Sequence, residues 1–181
     1  MNLIRIKGIS ASGLLQAKNR PKMRIGWTMF DLIIEITGLI AVLSMWLIVL
    51  LIYFKLPEII PTHYDITGAV DGFGNKTFIL LLAAITTIIF AGMTVLNRFP
   101  HVFNYIVKIT ENNAFVQYML ACRMIRCLKF AIVLLFDLLV IQTIRIAEGK
   151  VDSFSAWFIY LALGVIFLIV IYFMVKSFIY R

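Results

Sequence analysis

Long runs of aliphatic and aromatic residues dictate the solvent in which most of this chain can fold. The stretches LIIEITGLIAVLSMWLIVLLIYF (32–54) and TFILLLAAITTIIFAGMTVL (77–96) can each cross a hydrocarbon core of about 30 Å, which takes roughly 20 helical residues. Two more apolar runs follow at 130–146 and 154–175, the first of them shorter and carrying Asp137. With 62% hydrophobic residues and a mean hydropathy of +1.00, the apolar share exceeds what a soluble core of this size absorbs. The expected class is an all-α integral membrane protein with four transmembrane helices.

The formal charge of +8 is sorted by position along the chain. Arg5, Lys7, Lys18, Arg20, Lys22 and Arg24 precede the first apolar run, and Arg98, Lys108, Arg123, Arg126 and Lys129 lie between the second and third. Lys176 and Arg181 follow the fourth, while Lys55, Lys76, Arg145 and Lys150 are left for the intervening loops. The positive-inside rule then places both termini in the cytoplasm. It puts loop 55–76 outside, together with the turn AEGKVDS, in a multi-pass membrane protein. Because the basic residues divide by membrane side, nucleic acid is not an expected partner.

The expected organisation is a basic cytoplasmic arm (1–30), a membrane domain (31–175) with a cytoplasmic segment at 97–129, and a tail (176–181). The arm mixes Leu3, Ile4, Ile6, Ile9, Leu14 and Leu15 with cations. It is either an amphipathic element on anionic headgroups or a disordered tail. The first apolar run is too long for the h-region of a removable signal peptide and is expected to stay as an anchor.

Thr110 suits an N-cap, with Glu111 in the first turn, where a carboxylate favours the helix dipole. No Pro or Gly interrupts the chain from Glu111 to Ile146, which predicts a helix of roughly 54 Å that runs from the cytoplasm into the third span. Arg123, Arg126 and Lys129 fall near headgroup level on it. Asp31 and Glu35, one turn apart at the entry of the first span, are expected to face Arg126 or Lys129 in structural pairing rather than catalysis. Cys122 and Cys127 point in different directions on a helix and predict no disulfide.

Asp137 lies roughly 12 Å deeper than Lys129 on such a helix. It is either a proton or ion site facing the bundle interior or a packing residue hydrogen-bonded to Thr86 or Thr87. Gln142 and Thr143 fall in the outer half, where they can bond between helices. Neither GxSxG nor HExxH occurs, and Ser153 and Ser155 have no His nearby in the sequence, so an enzyme is not expected. No cofactor is expected either. Gly38, Ala83, Ala84 and Gly164 supply small faces through which helices or a homodimer can pack.

Loop 55–76, KLPEIIPTHYDITGAVDGFGNK, carries most of the polar chemistry. Pro57 and Pro61 keep it extended, and Gly68, Gly72 and Gly74 let it fold back as a hairpin-like cap on the helices. His63, Asp65, Asp71 and Lys76 come within reach of one another in such a cap. Three readings follow: turn construction, an open metal site through His63, Asp65 and Asp71, or recognition of a peptide, lipid headgroup or membrane protein. Turn construction needs the fewest assumptions, because the set lacks the extra His or Cys that metal sites favour.

Leu56, Pro57, Ile60, Pro61, His63, Gly68, Asp71, Gly72, Gly74 and Lys76 follow the order LPxxIPxHxxxxGxxDGxGxK. This resembles the bacterial membrane family called DUF1648, a domain of unknown function that includes the immunity and signalling protein against the sporulation-delaying toxin. A second block, LNRFPHVFNYIVKITENNAFVQY, resembles the sequence that follows the domain in many members and marks Asn97, Pro100, His101, Asn104, Tyr105 and Glu111. It departs from the family at Ile106, where a Pro is usual. The resemblance implies a multi-pass protein of the bacterial cytoplasmic (inner) membrane without established catalysis, sensing the envelope or protecting it against a membrane-active peptide bound at the loop. Relatives with immunity roles are longer than this chain. The alternative is a small transporter or channel subunit that uses Asp137, and membrane lipids are partners on either reading.

Overall fold

The computed structural model describes residues 20–154 and 157–181. The expectations for the amphipathic part of the arm and for Ser155 therefore lie outside the described residues. Helix α1, Met29–Ile52, opens on a reciprocal capping box. The Asp31 backbone N–H donates to Thr28 Oγ1 at 3.3 Å, and the Thr28 N–H donates to Asp31 Oδ2 at 2.9 Å, so two otherwise orphaned donors are satisfied.

The chain then forms an antiparallel hairpin of β1, Ile59–Tyr64, and β2, Val70–Asn75. This is the departure from an all-α class among the described residues. The ladder pairs Ile59 with Asn75 and Pro61 with Phe73, with irregularities on either side of His63. Helix α2 spans Phe78–Leu96, and a single 3₁₀ turn follows at Pro100–Val102.

Helix α3, Ala114–Ala147, is the longest at 34 residues, or roughly 51 Å. It starts one turn later than Glu111. The Thr110 N–H donates to Asn113 Oδ1 and the Asn113 N–H donates to Thr110 Oγ1, the same reciprocal pattern as at Thr28 and Asp31, and the Ala114 N–H donates to the Thr110 carbonyl at 3.0 Å, so Thr110 caps a turn that leads into the helix. Glu111 lies in this capped lead-in turn, ahead of the regular helix that begins after Asn113. At the other end the N–H of Gly149 donates to Ile146 and that of Lys150 to Arg145, with Gly149 at φ +70. This is a Schellman termination, which the left-handed glycine permits. Helix α4 is Trp157–Ile179.

Three helices, α1, α2 and α4, are long and apolar enough to cross a membrane, and the protein is a mostly helical membrane protein. Their outward faces expose residues such as Leu43, Leu47, Leu51, Phe167 and Leu168, the pattern of helices solvated by lipid. Helix α3 packs against all three and against β1. Because it sits among them, it can carry buried polar groups such as Gln117, Arg126, Lys129, Gln142 and Thr143.

Two ends of the bundle are distinct. At one, the hairpin lies over the turn after α3: the Phe154 N–H donates to the Gly68 carbonyl at 2.8 Å, and Tyr160 donates its hydroxyl to the Ile66 carbonyl at 3.0 Å. At the other, Gln117 Nε2 donates to the carbonyls of Ser177 and Tyr180, and Arg20 donates to the carbonyls of His101 and Phe103.

Candidate functional site

The hairpin has an inner and an outer face. On the inner face Ile60 is fully buried with Met45, Val49, Leu56, Ile79, Ala83, Val140 and Ile144, so one strand residue joins three helices in a single apolar cluster. Tyr64 anchors the strand end, its hydroxyl 2.9 Å from Thr143 Oγ1. Burial pushes the Tyr64 phenol up from its ordinary range, with the Thr143 contact opposing. Lys76 bonds Glu58 at 2.8 Å and lies 5.3 Å from the centre of the Tyr53 ring, which ties the loop's two ends together.

On the outer face, His63 Nδ1 and Asp71 Oδ1 stand 2.5 Å apart, exposed, beside Phe73. Asp65 does not join them. Its Oδ1 accepts from the Thr67 hydroxyl at 2.6 Å and from the N–H groups of Thr67 and Ala69 at 2.8 and 3.0 Å, closing the turn at Gly68, which has φ +87. Among the described residues no group of three His, Cys, Asp or Glu is placed to hold a metal ion. The geometry does not bring Asp65 to the His63–Asp71 pair, because the turn's donors take up its Oδ1.

Gly72 and Gly74 serve a different need from the turn glycine. Both have ordinary φ values, but an added Cβ would lie 2.8 Å from His63 Cβ and 2.9 Å from Thr62 Cγ2 respectively. They are absent side chains that let the strands close beneath the His63–Asp71 pair.

A second constellation occupies the opposite end. Asp31 accepts from Arg126 Nη1 at 3.0 Å and lies 3.4 Å from Arg123 Nε. Glu35 lies 3.3 Å from Arg126 Nε and 2.6 Å from Lys129 Nζ, which also reaches Thr94 Oγ1 at 2.6 Å. Lys129 is fully buried, with its ammonium 4.2 Å from the Phe90 ring centre. The facing of Asp31 and Glu35 toward Arg126 and Lys129 follows the spacing read from the sequence, with Arg123 added. Three cations against two carboxylates leave one positive charge in excess.

The second sequence block forms a knot at this same end. Pro100 is buried, and its carbonyl accepts from Tyr105 at 2.9 Å. Arg20 bonds the Phe103 carbonyl at 2.6 Å and lies over the Tyr105 ring, while the Tyr118 hydroxyl donates to the Pro21 carbonyl. Burial drives the Tyr105 phenol far above its ordinary range, a push that Arg20 partly opposes. Asn104 is exposed and His101 half-buried. Both side-chain amide atoms of Asn97 are buried with no hydrogen-bond partner among the described residues.

Asp137 is not held by Thr86 or Thr87, whose hydroxyls donate to the carbonyls of Leu82 and Ala83 in their own helix. Its Oδ1 is buried with no hydrogen bond. Nothing in the sequence marked the Gln117–Ser177 clasp or the Trp46–Thr87 bond, because such pairs depend on helix rotation. The Tyr64–Thr143 bond was equally unmarked, since it depends on strand register.

Residues 39–87 match the family model described as Domain of unknown function (DUF1648). This stretch is a DUF1648 domain. It takes in the latter half of α1, the whole hairpin and the first half of α2, so the DUF1648 domain is the unit in which Ile60 is clasped between two helices. The Asp31–Lys129 cluster and the block from Asn97 to Glu111 lie outside it. An "Uncharacterized protein" of Archaeoglobus fulgidus is 38% identical over 75 residues, 37% of this chain and 41% of that protein. The chain thus spans less than half the length of that relative. No solved structure matches.

Proposed function

We propose that this is a non-catalytic, multi-pass protein of the cytoplasmic membrane, with four spans and both termini inside, whose DUF1648 hairpin recognises an extracytoplasmic peptide. One observation carries the reading: the inner face of the hairpin is fixed to the bundle through Ile60 and Tyr64, while His63, Asp71 and Phe73 remain exposed. A fixed two-stranded sheet with an exposed aromatic and a polar pair can take an amphipathic peptide as an added strand. Toxin immunity or envelope sensing is the biological form such recognition takes.

The four-span topology draws support from the way α3 joins the two ends of the bundle. Arg20, Lys22, Arg24, Arg98, Lys108, Lys176 and Arg181 gather at the end away from the hairpin, the distribution expected of a cytoplasmic face. The topology is tested by thiol labelling of intact cells, with Cys122 and Cys127 replaced by Ser. An Ala69→Cys variant should react with an impermeant maleimide and an Asn104→Cys variant should not. Recognition is tested by challenging cells with membrane-active peptides. A His63→Ala, Asp71→Ala double variant should lose protection, and full protection at equal protein levels would overturn the reading.

A second reading rests on the unpartnered, buried Oδ1 of Asp137. An orphaned carboxylate oxygen among packed helices suits a proton- or ion-linked residue of a small transporter or channel subunit. Reconstituted vesicles decide it, since unchanged flux in Asp137→Asn removes transport through this residue.

A further inference from the structure

A recess of about 410 Å³ opens where α1 begins and α2 ends, and Arg24, Arg98, Arg126, Asn97, Trp27 and Phe99 lie on its walls. Among the described residues no carboxylate lines it. Arg126 is 3% exposed, held from behind by Asp31 and Glu35. Although Arg126 Nε is 3.3 Å from Glu35 Oε1, the N–H is not aligned on that oxygen and makes no hydrogen bond. Asn97 adds an amide whose nitrogen and oxygen are both buried without partners among the described residues. Arg24 and Arg98 are exposed at the rim.

Unmatched buried donors beside excess positive charge call for an anion with several acceptor oxygens. The position narrows the choice. Trp27, an amphipathic ring of the kind that sits at headgroup level, stacks against Arg126 at 5.2 Å, and exposed Phe30, Val95 and Leu96 continue from the recess along the helices. A phosphate bound among the arginines would have its acyl chains lying on that apolar surface. Basic recesses between membrane helices recognise lipid headgroups in this manner.

We infer that the recess formed by Arg24, Arg98, Arg126 and Asn97 binds the phosphate of an anionic phospholipid. The inference requires α1 and α2 to lie in a bilayer but not a particular orientation of the hairpin.

The test uses the full chain in detergent, with binding read by native mass spectrometry against phosphatidylglycerol, phosphatidylcholine and inorganic phosphate. Phosphatidylglycerol should bind more tightly than phosphatidylcholine. An Arg24→Ala, Arg98→Ala variant should lose about thirtyfold in that affinity, the worth of two cations near an anionic surface. A Lys22→Ala, Lys108→Ala control removes the same charge from exposed positions at the same end, and should stay within about threefold of the unaltered chain, because neither lysine lines the recess. Equal losses in both variants, or equal affinity for both lipids, would overturn the site. Inorganic phosphate that binds alone as tightly as the lipid would overturn the lipid assignment and leave a free-anion site. Thermal unfolding without lipid controls for folding, and an Arg98→Lys variant that recovers most of the lipid affinity is expected if charge at the rim is what acts.

Discussion

Lys129 Nζ and Glu35 Oε2 are 2.6 Å apart, the lysine fully buried and the glutamate nearly so. The pair is unequal, because Glu35 also faces Arg126 at 3.3 Å whereas Lys129 has only Thr94 and the Phe90 ring besides. Removing the carboxylate leaves three cations against Asp31 alone, while removing the lysine leaves two against two. Glu35→Gln is therefore expected to cost about 3 kcal/mol, the range for stranding a buried charge. Lys129→Met should cost about half of that, and the double variant less than the sum. Thermal unfolding in detergent measures all three, and a larger loss in Lys129→Met would show that the excess positive charge does not govern this cluster.

The two glycines beneath the His63–Asp71 pair differ in what blocks a side chain. At Gly72 the obstacle is His63 Cβ, a fixed atom, at 2.8 Å; at Gly74 it is Thr62 Cγ2 at 2.9 Å, which a χ1 rotation can move. Gly72→Ala is expected to destabilise the hairpin by about 2 kcal/mol through overpacking, and Gly74→Ala by less than about 1. Hydrogen exchange of the β1 and β2 amides reports the order, and equal losses would remove the distinction.

The parts legible in the sequence were those set by periodicity and local spacing. Of the four apolar runs read as spans, three form helices long and apolar enough to cross a membrane, and Asp31/Glu35 against Arg126/Lys129 followed from one-turn spacing at matched depth. The Pro and Gly pattern gave the fold-back of loop 55–76, and its order of residues gave the family. What stayed hidden depended on tertiary register. The capping role of Thr110 was legible from its residue type, whereas the one-turn delay before regular α3 begins at Ala114 was not. Asp65 left the His63 group because Thr67, two residues on, supplied closer donors. Gly72 and Gly74 could be read as turn glycines until strand pairing set them against His63 and Thr62.

Tyr64 and Thr143 form the polar tie between hairpin and α3. Thr143 is 2% exposed, so Tyr64→Phe leaves its hydroxyl with one partner fewer in a dry setting. The expected cost is about 1 to 2 kcal/mol. Thr143→Val combined with Tyr64→Phe should recover much of it, because two apolar groups of similar shape then meet. Unfolding midpoints of the two single variants and the double variant measure the coupling. Strict additivity would mean that the bond contributes nothing to seating the hairpin.

Acid should loosen the hairpin tip before the bundle. The Thr67 hydroxyl, with the Ala69 and Thr67 N–H groups, holds the Asp65 carboxyl below its ordinary 3.8 against a smaller opposing effect of burial. A carboxyl lowered in the folded state contributes stability that is present above the unfolded value and is lost as pH falls through the folded one. Protection factors of the Thr67 and Ala69 amides, corrected for intrinsic exchange, should stay level from about pH 7 to about pH 5 and decline below about pH 4. The base of the hairpin, where Ile60 pairs with Gly74 and is buried among the helices, should keep its protection over that range. Asp65→Asn keeps an acceptor oxygen but cannot titrate, so its tip should show lower protection with no acid-dependent fall. A wild-type profile that declines no more than that of Asp65→Asn would mean that the Thr67 and Ala69 bonds do not distinguish the charged carboxylate from the neutral one.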